Sequence, residues 1–89
     1  MVWKINFEPD AGKQLKKLDK YSQQLIRNYL KDKVLILEHP KMLGKPLKYN
    51  LKGYWRYRID KFRIVCDLQE DVLMILVIKI AKRDVVYED

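Results

Sequence analysis

The feature that most constrains the fold of this chain is the alternation of apolar and basic residues in residues 54–64, YWRYRIDKFRI. The apolar residues of the first half share one parity: Trp55, Tyr57 and Ile59. Arg56 and Arg58 take the other parity. Because successive side chains of a β-strand point to opposite faces of a sheet, the pattern predicts a strand with an apolar face and an arginine face.

A second strand is expected directly after the first. The pair Asp60-Lys61 predicts a two-residue turn, and Phe62–Leu68 then predicts the returning strand of a hairpin. Arg63 takes the parity opposite to its apolar neighbours, so it can face the same way as the two earlier arginines. A planar guanidinium holds two phosphate oxygens at once and keeps its charge. The hairpin therefore predicts a phosphate-binding surface.

The residues before the hairpin predict one strand and two helices. Val2–Phe7 alternates as a strand does, and Pro9 stands where a helix can begin. Asp19 and Ser22 are both plausible N-caps for a second helix. The apolar stripe of this helix has the spacing of one helical face: Leu25, Ile26, Tyr29, Leu30, Val34 and Leu37. The helix should end before His39-Pro40, since proline disfavours helical geometry in the residue before it.

The second half of the chain predicts a loop and three strands. Residues 40–53 contain glycine, proline and several lysines, which indicates a loop. The strands are Tyr54–Ile59, Phe62–Leu68 and Val72–Ala81, and the third is apolar on both parities, which indicates an interior strand. The order β-α-α-β-β-β predicts an α+β fold, with a helical hairpin packed on a twisted, mainly antiparallel sheet. We expect residues 1–89 to form a single domain.

Composition narrows the function. A net charge of +7 on 89 residues favours nucleic acid, an anionic surface or an acidic protein as the partner. The sequence has no acidic cluster, no Ser/His/Asp set and no metal-ligand spacing, so we expect neither a metal nor a cofactor. The single cysteine, Cys66, cannot form an internal disulfide and is expected to be a buried apolar residue. With no signal peptide and no long apolar run, a cytoplasmic protein without membrane contact is expected.

The third strand extends the basic surface. Lys79, Ala81 and Arg83 share a parity, and Arg83 lies at the end of the strand. Tyr87 follows close by, where its ring could stack on a base. Positive groups aimed at a phosphorane would stabilise the charge that develops during RNA cleavage. A sheet whose arginines only keep the surface soluble is the alternative that composition leaves open.

Two segments of the chain, GYWRYRIDKFRIVCDL and LMILVIKIAKRDVVY, resemble the RelE/ParE superfamily of toxins from bacterial type II toxin–antitoxin systems, on its RelE side. The resemblance spans the whole chain, and the hairpin motif is its most specific part. It implies a RelE-like fold and a ribosome-dependent, metal-independent endoribonuclease, an mRNA interferase. Such an enzyme inhibits translation by cutting messenger RNA in the ribosomal A site, through attack of a ribose 2′-hydroxyl on the adjacent phosphate.

The resemblance also implies roles for single residues. Arg56 and Arg58 correspond to two basic residues of the first hairpin strand, and Arg63 to the arginine that stabilises the transition state. Arg83 corresponds to the general acid, and Tyr87 to the tyrosine that stacks on the RNA base. Nearby lysines are expected to bind RNA: Lys48, Lys52, Lys61 and Lys82. The implied partners are a RelB-like antitoxin, the ribosome with its messenger RNA, and operator DNA through the antitoxin complex only.

One departure from the pattern concerns the general base. The best-known RelE toxin has lysines where this chain has Arg56 and Arg58, and arginine is a poor base because its pKa exceeds about 12. Either the base lies elsewhere, or positioning by the ribosome supplies most of the rate. Asp84, Glu88 and His39 are the alternatives, and for His39 a capping or surface role is the expectation.

Three other functions fit the sequence less well. A ParE-like inhibitor of DNA gyrase would have the same fold and no nuclease activity, but such toxins generally lack this set of arginines and the terminal tyrosine. A degenerate member would act only as the partner of the antitoxin. A small basic RNA-binding module unrelated to the family is the third.

Overall fold

The elements follow the expected order, with one short strand added in the loop. A computed structural model describes residues 2–82. Its helices and strands are β1 (Lys4–Phe7), α1 (Pro9–Lys16), α2 (Lys20–Tyr29), β2 (Lys45–Pro46), β3 (Trp55–Ile59), β4 (Phe62–Gln69) and β5 (Met74–Lys82). The loop before β3 also contains two 3-10 turns, Pro40–Met42 and Tyr49–Leu51. Within the described residues, no helix is long and apolar enough to cross a membrane.

The five strands form one sheet in the order β1-β5-β4-β3-β2. The β2–β3, β3–β4 and β4–β5 pairs are antiparallel, whereas β1 runs parallel to β5, with Lys4 beside Met74. The prediction of an α+β fold with a mainly antiparallel sheet is confirmed. So is the interior position of the last strand, since β5 is paired on both sides.

The helices begin where local chemistry allows. Pro9 occupies the first turn of α1, where its missing N–H leaves no hydrogen bond unmade. Of the two N-cap candidates for α2, the structure selects Asp19, whose carboxylate accepts hydrogen bonds from the Ser22 backbone N–H at 3.2 Å and its hydroxyl at 2.6 Å. These bonds lower the pKa of Asp19.

Helix α2 continues as a π-helical turn, Leu30–Val34, in which the Leu35 N–H donates to the Leu30 carbonyl at 2.9 Å. Most of the predicted apolar stripe is confirmed, because Ile26, Leu30 and Val34 are buried against the sheet. The exception is Leu37, since Leu35, directly after the π-helical turn, packs against the core in its place. The helix ends before His39, as expected.

The core lies between the helices and one face of the sheet. Tyr57 and Ile64 of the hairpin pack there with Leu15 and Ile26 of the helices. Cys66 belongs to the same cluster with no exposed surface, and burial raises the pKa of its thiol. The interpretation of Cys66 as a buried apolar residue is confirmed.

A β-bulge interrupts the pairing of β4 with β5. Val65 lies opposite Lys79, but the next pair is Cys66 with Val77, so Ile78 is an extra residue on β5. By strict alternation Lys79 would share a face with Val77 and Ile75, which are fully buried in the core. The bulge instead places Lys79 opposite Val65, on the other face of the sheet.

Candidate functional site

Three arginines lie on the face of the sheet that points away from the helices, which we call the arginine face. Arg56 and Arg58 are on β3, and Arg63 is on β4. In the hairpin Arg56 lies opposite Val65, and Arg58 lies directly opposite Arg63. Residues that face each other across an antiparallel pair are on the same side of the sheet, with Cβ atoms about 4.5–5.5 Å apart. The predicted grouping of these arginines is confirmed.

The arginine face is only partly open to solvent. Arg58 is exposed, but Arg56 and Arg63 each keep only 7% of their surface exposed. Beside Arg56 the added strand β2 forms an edge, with Lys45 directly opposite Arg56. Because arginine remains charged when buried, reduced contact with water strengthens its attraction for an anion.

The close approach of the loop to β3 depends on one glycine. Gly44 has a φ of +77°, and a Cβ atom at this position would lie 2.3 Å from the Arg56 carbonyl oxygen and 2.6 Å from Nε1 of Trp55. No side chain fits in that space. Leu47, just after β2, is 3% exposed and lies outside the main core cluster. The loop thus packs against the site through residues 44–47.

Two hydrogen bonds from the aromatic residues of β3 also hold this loop. The hydroxyl of Tyr57 donates to the Pro40 carbonyl at 2.6 Å, and Nε1 of Trp55 donates to the Leu43 carbonyl at 2.7 Å. Burial raises the pKa of Tyr57, so its hydroxyl stays protonated and keeps this role as a donor. Strand β3 is therefore held by its pairing with β4 and by its hydrogen bonds to the loop. These contacts fix the backbone from which Arg56 and Arg58 project.

The lysines predicted to bind RNA are all exposed but do not share one face. Lys48 and Lys52 flank the Tyr49–Leu51 turn. Lys61 lies at the tip of the hairpin, with its Nζ 5.7 Å from the centre of the Phe62 ring. Lys82 lies opposite Phe62, a core residue, and therefore on the side away from Arg63. The RNA-binding role of these lysines stays a prediction.

Of the remaining predicted residues, only His39 is among those that the structure describes. Arg83 and Tyr87, together with the candidate bases Asp84 and Glu88, are outside the described residues. His39 is the N-cap of the Pro40–Met42 turn: its Nδ1 accepts from the Lys41 backbone N–H at 3.1 Å, and its Nε2 lies 3.0 Å from Oε1 of Glu70.

The position of His39 argues against a role as the general base. Glu70 belongs to the turn after β4, whereas Arg63 is near its start, so His39 lies toward the opposite end of the strand from the arginines. A capping role agrees with the sequence interpretation. Among residues 2–82 no group of histidine, cysteine and acidic side chains is suited to hold a metal ion.

The geometry of the arginine face suits a phosphate. Arg58 and Arg63 are like charges directly opposite each other, an arrangement that a bound anion would stabilise. A phosphate between them would accept charge-assisted hydrogen bonds from both guanidinium groups. If charge increases on that phosphate during a reaction, preorganised guanidinium groups stabilise the transition state more than the ground state.

Comparison with known proteins identifies the family. The sequence profile described as "ParE toxin of type II toxin-antitoxin system, parDE" matches residues 5–87. Comparison with curated proteins gives no significant match.

Solved structures of similar fold are toxins named RelE and their complexes. The RelBE2 toxin–antitoxin complex of Mycobacterium tuberculosis contains a chain that superposes with a TM-score of 0.83 at 18% identity, covering 93% of this chain and 100% of the other. The isolated Escherichia coli RelE toxin gives 0.72 at 14% identity, covering 94% and 87%. The RelE–RelB complex of Pyrococcus horikoshii gives 0.71 at 16% identity, covering 97% and 100%.

The profile match covers nearly the whole chain, and the structural matches share its helical hairpin and mixed sheet. The chain therefore belongs to the ParE toxin family and is a toxin, with the RelE/ParE fold, of a type II toxin–antitoxin system.

Proposed function

We propose that this toxin is a ribosome-dependent, metal-independent endoribonuclease that cuts messenger RNA in the ribosomal A site and so inhibits translation. The observation that carries the proposal is the arginine face, where Arg58 and Arg63 lie directly opposite each other and Arg56 is one further position along β3 on the same side. Three guanidinium groups on one side of the hairpin, two of them nearly buried, suit the phosphate groups of RNA, since each can hold two phosphate oxygens at once.

In the proposed reaction a ribose 2′-oxygen forms a bond to the adjacent phosphorus atom and the bond from phosphorus to the 5′-oxygen breaks. The products are a 2′,3′-cyclic phosphate and a free 5′-hydroxyl. Arg63 stabilises the charge on the phosphorane, and Arg56 and Arg58 hold the non-bridging oxygens. By their resemblance to the family pattern, Arg83 gives a proton to the leaving 5′-oxygen and Tyr87 stacks on the base.

The arginines cannot accept the proton of the 2′-hydroxyl, because they stay protonated and have no free lone pair. This proton therefore passes to water or to one of the candidate carboxylates, Asp84 and Glu88. Positioning by the ribosome can supply a large part of the rate, since well-oriented intramolecular groups gain several kcal/mol, up to about 7–11 kcal/mol. The isolated toxin should therefore cut free RNA poorly or not at all. Such an enzyme acts where translating ribosomes are, in the cytoplasm.

The antitoxin partner follows from the type II system. The solved structures of similar fold include complexes of RelE with RelB, and we propose that a RelB-like, acidic antitoxin binds this toxin. A groove of about 440 Å³ lies between β1 and the end of α2, and it is lined by both apolar and basic side chains. Its apolar residues include Phe7 and Leu35, and its basic residues are Arg27 and Lys31. It suits an amphipathic acidic segment. Operator DNA would be contacted only through this complex.

The decisive experiment adds purified toxin to ribosomes stalled on a defined messenger RNA and maps new 5′ ends by primer extension. We expect breaks at A-site codons and none in the same RNA without ribosomes. If ribosome-bound RNA stays intact while the toxin still arrests growth when expressed, the nuclease proposal fails.

The second candidate is inhibition of DNA gyrase. The family profile that matches carries the name ParE, and the RelE structures are less than 25% identical, so they establish the fold alone. Incubation of the toxin with gyrase and relaxed plasmid in the presence of ATP separates the two functions. A loss of supercoiling, with messenger RNA left intact, would favour this second candidate.

A further inference from the structure

We infer that Lys45 and Lys79 extend the arginine face into a track for the RNA backbone, and that each binds a phosphate next to the one held by the arginines. This inference rests on the proposal that the arginine face acts on RNA. It adds two residues, on two further strands, that the family pattern of the hairpin does not include.

The register of the sheet places these residues in one row. Lys45 on β2 lies opposite Arg56 on β3, Arg56 lies opposite Val65 on β4, and Val65 lies opposite Lys79 on β5. The row crosses four neighbouring strands at right angles to their direction. With strands about 4.8 Å apart, the backbones at its two ends are separated by about 14 Å.

Burial differs along the row in the way that a binding track requires. Val65 and Arg56 form its floor, with 1% and 7% of their surface exposed. Lys45 and Lys79 are exposed at the two ends. Both ends are thus accessible to a strand of RNA that crosses the sheet, while the centre is held in place by packing. Lysine suits such flanking contacts because its ammonium is a flexible point charge.

The β-bulge is the strongest single argument for Lys79. Without the extra residue Ile78, alternation would place Lys79 on the side of Ile75 and Val77, within the apolar core. Burial of an isolated ammonium there would be very unfavourable. The bulge solves this problem and brings the charge onto the arginine face, one strand beyond Arg63, whose partner on β5 is Ala81. Bulges of this kind often re-aim a side chain beside an active site.

The test measures equilibrium binding of a fluorescein-labelled 2′-O-methyl heptanucleotide, which cannot be cleaved, by fluorescence anisotropy over a range of salt concentrations. Lys45→Gln and Lys79→Gln should each weaken binding about threefold to tenfold, and each should reduce the slope of log affinity against log salt by about 0.7. Lys13→Gln is the matched control, because Lys13 is an exposed lysine of α1, in the helical layer on the other side of the sheet. It should change neither quantity. With a dinucleotide, which has one phosphate, all three variants should bind like the wild type.

Losses no larger than that of Lys13→Gln, or an equal loss with the dinucleotide, would overturn the track, as would absence of RNA binding by the wild type. Ribosome-bound cleavage is measured on the same proteins and decides the proposed function separately. Lysine-dependent binding without cleavage would leave the track standing and reject the nuclease. If ribosome-bound RNA is cleaved but oligonucleotide binding does not depend on the two lysines, the nuclease proposal stands and the track is rejected.

Discussion

The two faces of the central sheet are built from the same strands but have different roles: one stabilises the fold, and the other is suited to bind an anion. On the helix face, alternate residues such as Tyr57 and Ile64 are fully buried in a continuous apolar core. On the arginine face, the intervening residues of the same hairpin bring Arg58 and Arg63 into direct opposition. The first arrangement gains free energy from burial of apolar surface, and the second brings like charges together on a surface that suits an anion. Because successive residues of a strand point to opposite faces, one set of residues stabilises the fold and the alternate set is available for function.

This separation predicts that removal of Arg63 damages function far more than folding. Arg63→Ala should lower the single-turnover rate of ribosome-bound messenger RNA cleavage by about 10²–10³, the effect of losing one preorganised group at an oxyanion. Circular dichroism and thermal unfolding serve as the folding control. A well-folded variant with the wild-type rate would show that the arginine face is not where the chemistry occurs.

The glycines test how tightly the loop must approach strand β3. Gly44→Ala should lower the free energy of unfolding by more than about 1–3 kcal/mol, because the new Cβ meets the Arg56 carbonyl oxygen and the side chains of Trp55 and Tyr57 and because φ is strained. Gly53→Ala is a matched control with a φ of +100° and no atom within 4 Å, so about 1 kcal/mol is expected.

Gly12 completes this series. It lies in α1 with nothing within 4 Å, and Gly12→Ala should raise the free energy of unfolding by about 0.5–1 kcal/mol. Urea unfolding followed by circular dichroism measures all three variants. If Gly44→Ala costs no more than Gly53→Ala, the close approach of the loop to β3 is wrong.

Tyr57 links the two faces, since its ring is in the core and its hydroxyl holds the loop that borders Arg56. Tyr57→Phe should lower the free energy of unfolding by about 1–3 kcal/mol, because the Pro40 carbonyl then lacks its buried donor. Urea unfolding gives this value, and hydrogen exchange in residues 40–47 reports whether the loop loosens. A variant as stable as the wild type, with unchanged exchange, would contradict this role.

A dependence of stability on pH is expected from the core alone. Burial raises the pKa of the Cys66 thiol above its ordinary value of 9.0. Above about pH 9 the unfolded chain therefore releases a proton that the folded chain keeps, and stability falls by up to about 1.4 kcal/mol for each pH unit. In Cys66→Ala this part of the slope should vanish, although the variant is less stable overall. Identical slopes in both proteins, measured by urea unfolding between pH 8 and pH 10, would count against the buried thiol.

Much of this architecture could be predicted because local patterns and global packing agree. The alternation in residues 54–64 was sufficient to predict the hairpin and the shared face of its arginines. The stripe that contains Ile26, Leu30 and Val34 was sufficient to predict the buried side of α2. In both cases the period of the sequence is the period of the structure.

Other features could not be predicted from the sequence because they depend on contacts between distant segments. The π-helical turn and the bulge each insert one residue into a regular pattern, and an apolar run such as residues 72–78 gives no sign of where its phase shifts. The near-complete burial of Arg56 depends partly on Lys45-Pro46, a strand too short to be seen as a pattern. No sequence rule assigns β1 its parallel partner.

That parallel pairing has a consequence for the synthesis of the toxin. Strand β1 is translated before the helices and the hairpin, yet its partner β5 is made only after them. At about 5–20 residues per second, β1 waits several seconds for its neighbour, whereas a local hairpin such as β3–β4 closes within about 1–10 μs. The nascent chain thus completes its arginine hairpin before its sheet. During that interval β1 stays outside the sheet, because the interior strand that joins it to the hairpin has not been made.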